Sequence, residues 1–264
     1  MNNNIYFQCH IKEISNLIEN CKEYKIGLDI SLTDVEKLNA KNYKKIESLR
    51  NLLDKEKIRI VTHLPFYGLD LGCKDKTISE YAVNSLIKGM KVTKILNSKL
   101  TVFHSNYIPL IPSSKLKLWF DRFYLNLEKI VRQSEEIGII LAIENTWEPF
   151  PAIINDMFEK FPSNNFKFCF DIGHCFVFSK VNYKNWLEEL GNYICHFHLS
   201  DNDNCEDSHQ PLGSGEIDFS EVLEELNNRN IIAGYSLEMK WSGVKQSLEL
   251  IKSINGKCIA SQST

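Results

Sequence analysis

The feature that most constrains the fold of this chain is a regular alternation of short apolar runs and longer amphipathic segments. Each short run is almost continuously apolar, which is typical of strands that are buried on both faces of a parallel sheet. The predicted strands are Ile5–Cys9, Lys25–Ile30, Arg59–Leu64, Leu100–His104, Ile139–Glu144, Lys167–Asp171, Ile194–Leu199 and Gly234–Met239.

Apolar residues between these runs recur at about 3.6-residue spacing, which predicts helices. Gly138 follows one long helical pattern and Gly256 another, as C-terminal stop signals do. The predicted helices are Ile11–Glu23, Val35–Leu53, Ile78–Leu96, Ser114–Ile137, Ile153–Phe161, Tyr183–Leu190, Phe219–Asn228 and Val244–Ile254.

Eight strands that alternate with eight helices over 264 residues predict an α/β fold, a single (β/α)8 barrel in which residues 1–264 form one domain. An open, doubly wound sheet is the alternative. Because no glycine-rich phosphate motif follows the first strand, its dinucleotide-binding version is weakened, and we expect no nucleotide cofactor.

The composition is that of an ordinary globular protein, with 43% hydrophobic and 25% charged residues. The net charge of −3 makes nucleic acid a less expected partner, since proteins that bind phosphate backbones usually carry a basic excess. Two lysine clusters, Lys41–Lys45 and Lys115–Lys117, are interpreted as solvated helix faces.

The cysteines and the N-terminus bear on the cellular compartment. None of the eight cysteines belongs to a CxxC pair, and several lie in apolar runs where a free thiol packs as a small hydrophobe. The first residues lack the pattern of a secretory signal, and no apolar run is long enough to span a membrane. We therefore expect a reduced, cytoplasmic setting without membrane association.

The chemistry is indicated by histidines and carboxylates at the predicted strand ends. In a barrel these ends converge on one mouth, where active sites are built. Each residue alone could be an ordinary polar residue, but buried carboxylates are costly unless a metal or a cation compensates them. The candidate ligands are His63, His104, Glu144, Asp171, His174, His198, Asp207, His209 and Glu238.

This donor set predicts a divalent metal. Mixed imidazole and carboxylate ligands suit zinc, manganese, iron or cobalt, whereas magnesium prefers more oxygen ligands. Asp207 and His209 lie in the longest irregular stretch, Ser200–Asp218, and loops of that length inside a compact domain tend to be functional.

The motifs around these residues resemble those of the xylose isomerase-like barrel superfamily. That superfamily includes sugar phosphate isomerases, ketose 3-epimerases and the endonuclease IV family of apurinic endonucleases. The matching motifs are Thr62-His63-Leu64-Pro65-Phe66, Val102-Phe103-His104, Ile143-Glu144-Asn145-Thr146, Phe170-Asp171-Ile172-Gly173-His174, His196-Phe197-His198-Leu199-Ser200-Asp201, Asp207-Ser208-His209, Leu212-Gly213-Ser214-Gly215-Glu216-Ile217-Asp218 and Leu237-Glu238.

The resemblance implies two different metal sites. In the epimerases a single ion is held by four ligands, which correspond here to Glu144, Asp171, His198 and Glu238. Glu144 and Glu238 then form the acid/base pair on opposite faces of the substrate. In the endonuclease-like members three zinc ions use nine ligands, and all nine candidate ligands match those residue types.

Several departures favour the isomerase side. The endonucleases carry a tyrosine where this chain has Phe66, with Tyr67 next to it. The glycine-rich stretch expected after Glu144-Asn145-Thr146 is replaced by Trp147-Glu148-Pro149-Phe150. The sequence therefore predicts a metal-dependent sugar or sugar phosphate isomerase or epimerase that works through a metal-stabilised enediolate. The alternatives are an apurinic endonuclease or phosphodiesterase with a multinuclear zinc site, and a metal-binding barrel without catalysis.

The substrate-binding residues are predicted from their place near the metal ligands. We expect His174 to orient a substrate oxygen. Phe66 and Trp147, together with Tyr67 and Trp241, could form an apolar wall for a sugar ring, although ordinary loop packing explains them equally well. The expected partner is a small sugar or sugar phosphate, and the sequence leaves a homo-oligomer open.

Overall fold

The computed structural model describes residues 4–33 and 40–261, with side chains described over 4–33 and 43–254. The strands form a closed barrel in chain order, and every neighbouring pair is parallel. They are Ile5–His10 (β1), Gly27–Ser31 (β2), Ile60–His63 (β3), Leu100–His104 (β4), Ile140–Glu144 (β5), Phe166–Asp171 (β6), Ile194–Leu199 (β7) and Gly234–Leu237 (β8). The predicted (β/α)8 barrel is confirmed.

Helices connect the strands, as the alternation predicts. Two short 3-10 turns, Gly191–Tyr193 and Trp241–Gly243, also occur. The α-helices of the described residues are Ile14–Tyr24 (α1), Ala40–Lys55 (α2), Lys76–Ile95 (α3), Ser113–Ile137 (α4), Ala152–Lys160 (α5), Ile172–Phe178 (α6), Tyr183–Leu190 (α7), Phe219–Asn228 (α8) and Val244–Ser261 (α9).

Most element boundaries differ from the predicted ones by one to three residues, and three differences have a physical reason or change an element. Strand β2 starts at Gly27, because Lys25 takes a left-handed conformation with φ of 57° as the C-cap of α1. Helix α9 runs to Ser261, so the predicted stop at Gly256 is wrong. Helix α6 was not predicted, because its seven residues are too few for a helical period to show. Residues 35–39 of the second predicted helix lie outside the described residues.

The strands alternate between two environments, as the two-residue period of a β-strand requires. On β6, Phe168 and Phe170 stack on the buried Trp186 of α7, with ring centroids 6.1 and 5.8 Å away. Cys169 points to the barrel interior, where it joins Tyr6 and other small or apolar side chains in a separate cluster. The helix-facing side chains thus form the main core, and the barrel interior keeps room for polar groups.

Candidate metal centre

Six strands each bring one polar side chain to the same end of the barrel. Each of these residues is the last in its strand, the last but one, or the next residue along the chain. All six are buried. They are His63, His104, Glu144, Asp171, His198 and Glu238. Because parallel strands end at one mouth, chain order alone places these groups together.

The candidate ligands fall into three groups, and Glu144 belongs to two of them. In the first group, His63 Nε2 and His104 Nε2 are 3.1 Å apart, and each lies 3.1 Å from Glu144 Oε2. The second group contains Glu144, Asp171, His198 and Glu238, whose ligand atoms all lie within 4.8 Å of one another. His198 Nδ1 is 3.2 Å from Glu144 Oε2 and 2.8 Å from Glu238 Oε1.

The third group lies beside the others and uses the loop after β7. Asp207 Oδ2 is 3.3 Å from His174 Nε2 and 3.2 Å from His209 Nε2. His174 belongs to α6, whose N-cap is Asp171, and its backbone N–H donates to Asp171 Oδ1 at 2.6 Å. The structure thus brings all nine predicted ligands into one connected cluster.

Three of these histidines are oriented by main-chain carbonyl groups. His63 Nδ1 lies 2.9 Å from Leu64 O, His174 Nδ1 lies 2.9 Å from Asn145 O, and His209 Nδ1 lies 2.9 Å from Glu238 O. A carbonyl oxygen only accepts, so in each ring Nδ1 carries the hydrogen and donates it. Nε2 of each ring faces the carboxylate of its group and is therefore the nitrogen that would bind a metal, once it carries no hydrogen of its own.

Buried atoms without partners test whether the site fits a cation. Eight buried side-chain atoms of the described residues have no hydrogen-bond partner, and four of them belong to candidate ligands: Nδ1 and Nε2 of His198, Asp171 Oδ2 and Asp207 Oδ1. Native proteins rarely leave buried polar atoms unpaired, because the loss of their hydration is not repaid. His198 Nδ1 and the two carboxylate oxygens belong to residues of the ligand groups, so bound cations would satisfy these three atoms. The donor set therefore fits divalent metal.

The charges of the cluster perturb its pKa values in opposite directions. Burial raises the pKa of Glu144, but the imidazoles of His198 and His104 outweigh it and hold the pKa well below its usual range. For Asp171 burial dominates and raises the pKa to about 7. The hydrogen bond with Asp207 raises the pKa of His209 to about 9. The cluster therefore contains protons that a binding cation would displace.

Sequence reasoning missed several polar residues beneath and beside the ligands. Asp29 on β2 is fully buried, and its Oδ2 lies 3.2 Å from His198 Nε2. Ser236 Oγ donates to the same oxygen at 2.6 Å. Gln8 Nε2 donates to Glu238 Oε1. The sequence did carry a signal for Asp29, because an acidic residue inside an apolar strand is unusual, and the same signal marks Glu144. Asp29 was missed because it lies in the middle of its strand, whereas the candidate ligands were sought at strand ends.

The loop after β7 is anchored by one buried carboxylate. Asp201 Oδ2 accepts the backbone N–H groups of Gly213 at 2.9 Å and Gly215 at 3.0 Å, and Oδ1 accepts that of Ile217 at 3.2 Å. Gly215 is required here, because a Cβ at that position would lie 2.3 Å from Asn202 O. These bonds fix both ends of the loop that carries the third ligand group.

A cavity of about 760 Å³ opens above the ligands. Aromatic side chains contribute to its wall, including Phe66, Tyr67 and Trp147 as predicted. The ring of Phe66 lies 4.7 Å from that of His104. Trp241 instead packs on Phe7 at 4.8 Å, outside this lining, so its predicted place in the wall is wrong.

The cavity is also acidic. Among the described lining residues there is neither Lys nor Arg, while five are acidic: Glu13, Asp70, Glu144, Asp207 and Glu238.

No helix in the described part of the chain is both long enough and apolar enough to cross a lipid bilayer.

The fold and site can be compared with known proteins. A curated relative, Uncharacterized protein MJ1311 of Methanocaldococcus jannaschii, is 29% identical over 75% of this chain and 70% of its own length. Among solved structures, a D-tagatose 3-epimerase-like protein is 25% identical, with a TM-score of 0.86 over 99% of this chain and 100% of that one. The TTHB071 protein from Thermus thermophilus, determined after soaking with ZnCl2, is 22% identical, with a TM-score of 0.82 over 96% and 98% of the two chains.

The sequence also matches a protein family over residues 25–254, which include all nine candidate ligands. That family is described as "Xylose isomerase-like TIM barrel", in agreement with the closed eight-stranded barrel. The chain therefore belongs to the xylose isomerase-like TIM barrel family.

Proposed function

We propose that this protein is a metal-dependent isomerase or epimerase of an uncharged keto sugar. The observation that carries the proposal is the pair of carboxylates, Glu144 and Glu238, at the base of an acidic cavity that has aromatic walls and no described Lys or Arg. A phosphate group would meet five carboxylates and neither Lys nor Arg among the described lining residues, so the cavity favours a neutral substrate over a sugar phosphate. The likeness to a D-tagatose 3-epimerase-like protein supports the same class.

Glu144, Asp171, His198 and Glu238 would hold the divalent ion, since their ligand atoms converge within 4.8 Å. When bound, such an ion supplies Lewis-acid stabilisation of the negative charge that develops on a substrate carbonyl oxygen. His174 then orients a substrate oxygen, and the faces of Phe66 and Trp147 pack against the apolar side of the sugar ring.

The two glutamates differ in how their oxygens are engaged, which suggests their roles. Glu238 Oε1 accepts from Gln8 and lies 2.8 Å from His198 Nδ1, whereas Oε2 comes only within 3.8 Å of His209 Nδ1. Oε2 of Glu238 is therefore the freer oxygen and removes the proton from the carbon next to the carbonyl. Glu144, from another side of the cavity, returns a proton to the opposite face, which inverts that carbon.

The test follows proton exchange in heavy water over a panel of ketoses, with ketose phosphates as a second panel. Glu238→Gln should abolish exchange, because an amide cannot accept the proton. Glu144→Gln should abolish epimerisation, because an amide has no acidic proton to return to the opposite face. Glu136→Gln, the same chemical change on the exposed face of α4, should leave both unchanged. Exchange that persists in Glu238→Gln together with epimerisation that persists in Glu144→Gln would rule out the proposed acid/base pair.

A second function is favoured by a specific observation, the three ligand groups that are connected through Glu144 and its neighbours. Three cations held there could activate water and stabilise the leaving oxygen in phosphodiester hydrolysis. Metal analysis by element separates the candidates: one ion per chain supports the epimerase, and three zinc ions with chelator-sensitive cleavage of an abasic-site duplex support the hydrolase. Full metal occupancy without turnover on any panel would instead favour a metal-binding barrel without catalysis.

A further inference from the structure

We propose that Asp29 is a positioning residue that orients His198 for metal binding, and that Ser236 and His196 hold Asp29 in place. These three residues, Asp29, Ser236 and His196, are called the Asp29 relay below. The inference rests on the proposed metal site of Glu144, Asp171, His198 and Glu238.

The two edges of the His198 ring face different partners. Nδ1 faces the ligand group, 2.8 Å from Glu238 Oε1 and 3.2 Å from Glu144 Oε2. Nε2 faces the barrel interior, 3.2 Å from Asp29 Oδ2. A neutral imidazole carries one ring hydrogen, and the nitrogen that binds metal must lack it. Nε2 makes no hydrogen bond of strict geometry with a described residue, but the negative charge of Asp29 at this ion-pair distance favours a hydrogen on Nε2 and so leaves the Nδ1 lone pair for the ion.

The remaining members of the relay determine the direction of each hydrogen bond. Ser236 Oγ donates to Asp29 Oδ2 at 2.6 Å, and His196 Nε2 lies 2.7 Å from the same hydroxyl oxygen. A hydroxyl has one hydrogen, so Ser236 must accept from His196 Nε2–H while it donates to Asp29. The relay therefore has a single polarity, from His196 through Ser236 to the carboxylate.

Burial makes Asp29 more than a packing residue. Its side chain is fully buried, and its ion-pair partners among the described residues are His196 at 4.0 Å and His198 at 3.2 Å. An ionised carboxylate in such a place is costly unless it is compensated. Carboxylates that hold the second ring nitrogen of a metal-bound histidine typically change metal affinity by about 10–100-fold when they are replaced.

Asp29→Val tests the inference because it suits a β-strand and removes the oxygen that faces His198 Nε2. We expect the affinity for Co²⁺ to fall about 10–100-fold, measured by competition with a chelating dye and by the visible spectrum of the bound ion. Asp29→Asn is the conservative variant. Ser236 Oγ and His198 Nε2 face the same oxygen, Oδ2, so the amide oxygen can replace it for both, and the loss of affinity should be smaller. Ser236→Ala should also lower the affinity by a smaller factor.

The control is Thr93→Val, which removes a hydroxyl from another buried polar cluster, 2.8 Å from Thr62 Oγ1 and away from His198. It should lower the free energy of unfolding and leave Co²⁺ affinity unchanged. Co²⁺ affinity within about threefold of wild type in folded Asp29→Val, well below the expected loss, would overturn the inference. If Asp29→Val does not fold, Ser236→Ala decides, and an unchanged affinity in that variant overturns the inference. A wild-type chain that binds no Co²⁺ would instead overturn the proposed function.

Discussion

Replacing Asp201 should release the loop after β7 from the barrel, and the size of the effect follows from its hydrogen bonds. The carboxylate is fully buried and accepts three backbone N–H groups from the far end of that loop, those of Gly213, Gly215 and Ile217, and also that of the adjacent Asn202. Asp201→Ala removes both acceptor oxygens and with them all four hydrogen bonds. Asp201→Asn keeps one oxygen, but its NH2 group must then face backbone donors, whichever way the amide turns.

The magnitude depends on how well water can replace the lost acceptor. The N–H groups of Gly213 and Gly215 are partly exposed and can bind water, at about 0.5 kcal/mol each, whereas the buried N–H groups of Ile217 and Asn202 cost about 2 kcal/mol each. The sum is about 5 kcal/mol for Asp201→Ala. Asp201→Asn loses at least the bonds of one oxygen, so we expect a loss of about 1 kcal/mol or more. In a domain of this size the loss for Asp201→Ala corresponds to a decrease in Tm of about 10–20 °C.

The assay is urea denaturation of the metal-free protein, combined with thermal melting and metal analysis. The matched control is Asp203→Asn in the same loop, where Oδ1 alone accepts the N–H groups of Cys205 and Glu206 and survives the substitution. It should leave the urea midpoint unchanged. An Asp201→Asn variant as stable as wild type would refute the reasoning, because the charge-free amide would then serve as well as the carboxylate.

Further predictions concern protons, ligand groups and the core. Since burial raises the pKa of Asp171 to about 7, its carboxyl is largely protonated at about pH 6. Metal affinity should therefore rise between about pH 6 and 8, and binding should release a proton. Calorimetry in buffers of different ionisation enthalpy measures that release, and a pH-independent affinity would contradict the prediction. His209→Ala removes a ligand of the third group alone, so it should lower the number of bound ions only if the site is multinuclear, as metal analysis would show. Trp186→Ala removes a fully buried ring that stacks on Phe168 and Phe170 and should cost about 3–5 kcal/mol in urea denaturation; a loss below about 1 kcal/mol would argue against this packing.

The architecture and the location of the candidate site could both be predicted from the pattern of residues along the chain. Near-continuous apolar runs of this length are typical of strands that are covered on both faces, and their alternation with helical patterns leaves few arrangements besides the barrel. Because parallel strands share one mouth, residues such as His104 and Glu144 at strand ends had to meet there. Local pattern and chain order were sufficient for both conclusions.

The tertiary structure alone decides which candidate ligands lie next to each other and which other residues contact them, because both depend on the closed barrel. The division of the nine candidate ligands into three groups, two of which share Glu144, depends on atoms from several segments. The same is true of the carbonyl groups that orient His174 and His209. The place of Asp29 against His198 depends on a contact between β2 and β7, which no local pattern encodes. Side-chain direction is set by the partner across the barrel, and that partner is known only once the barrel is closed.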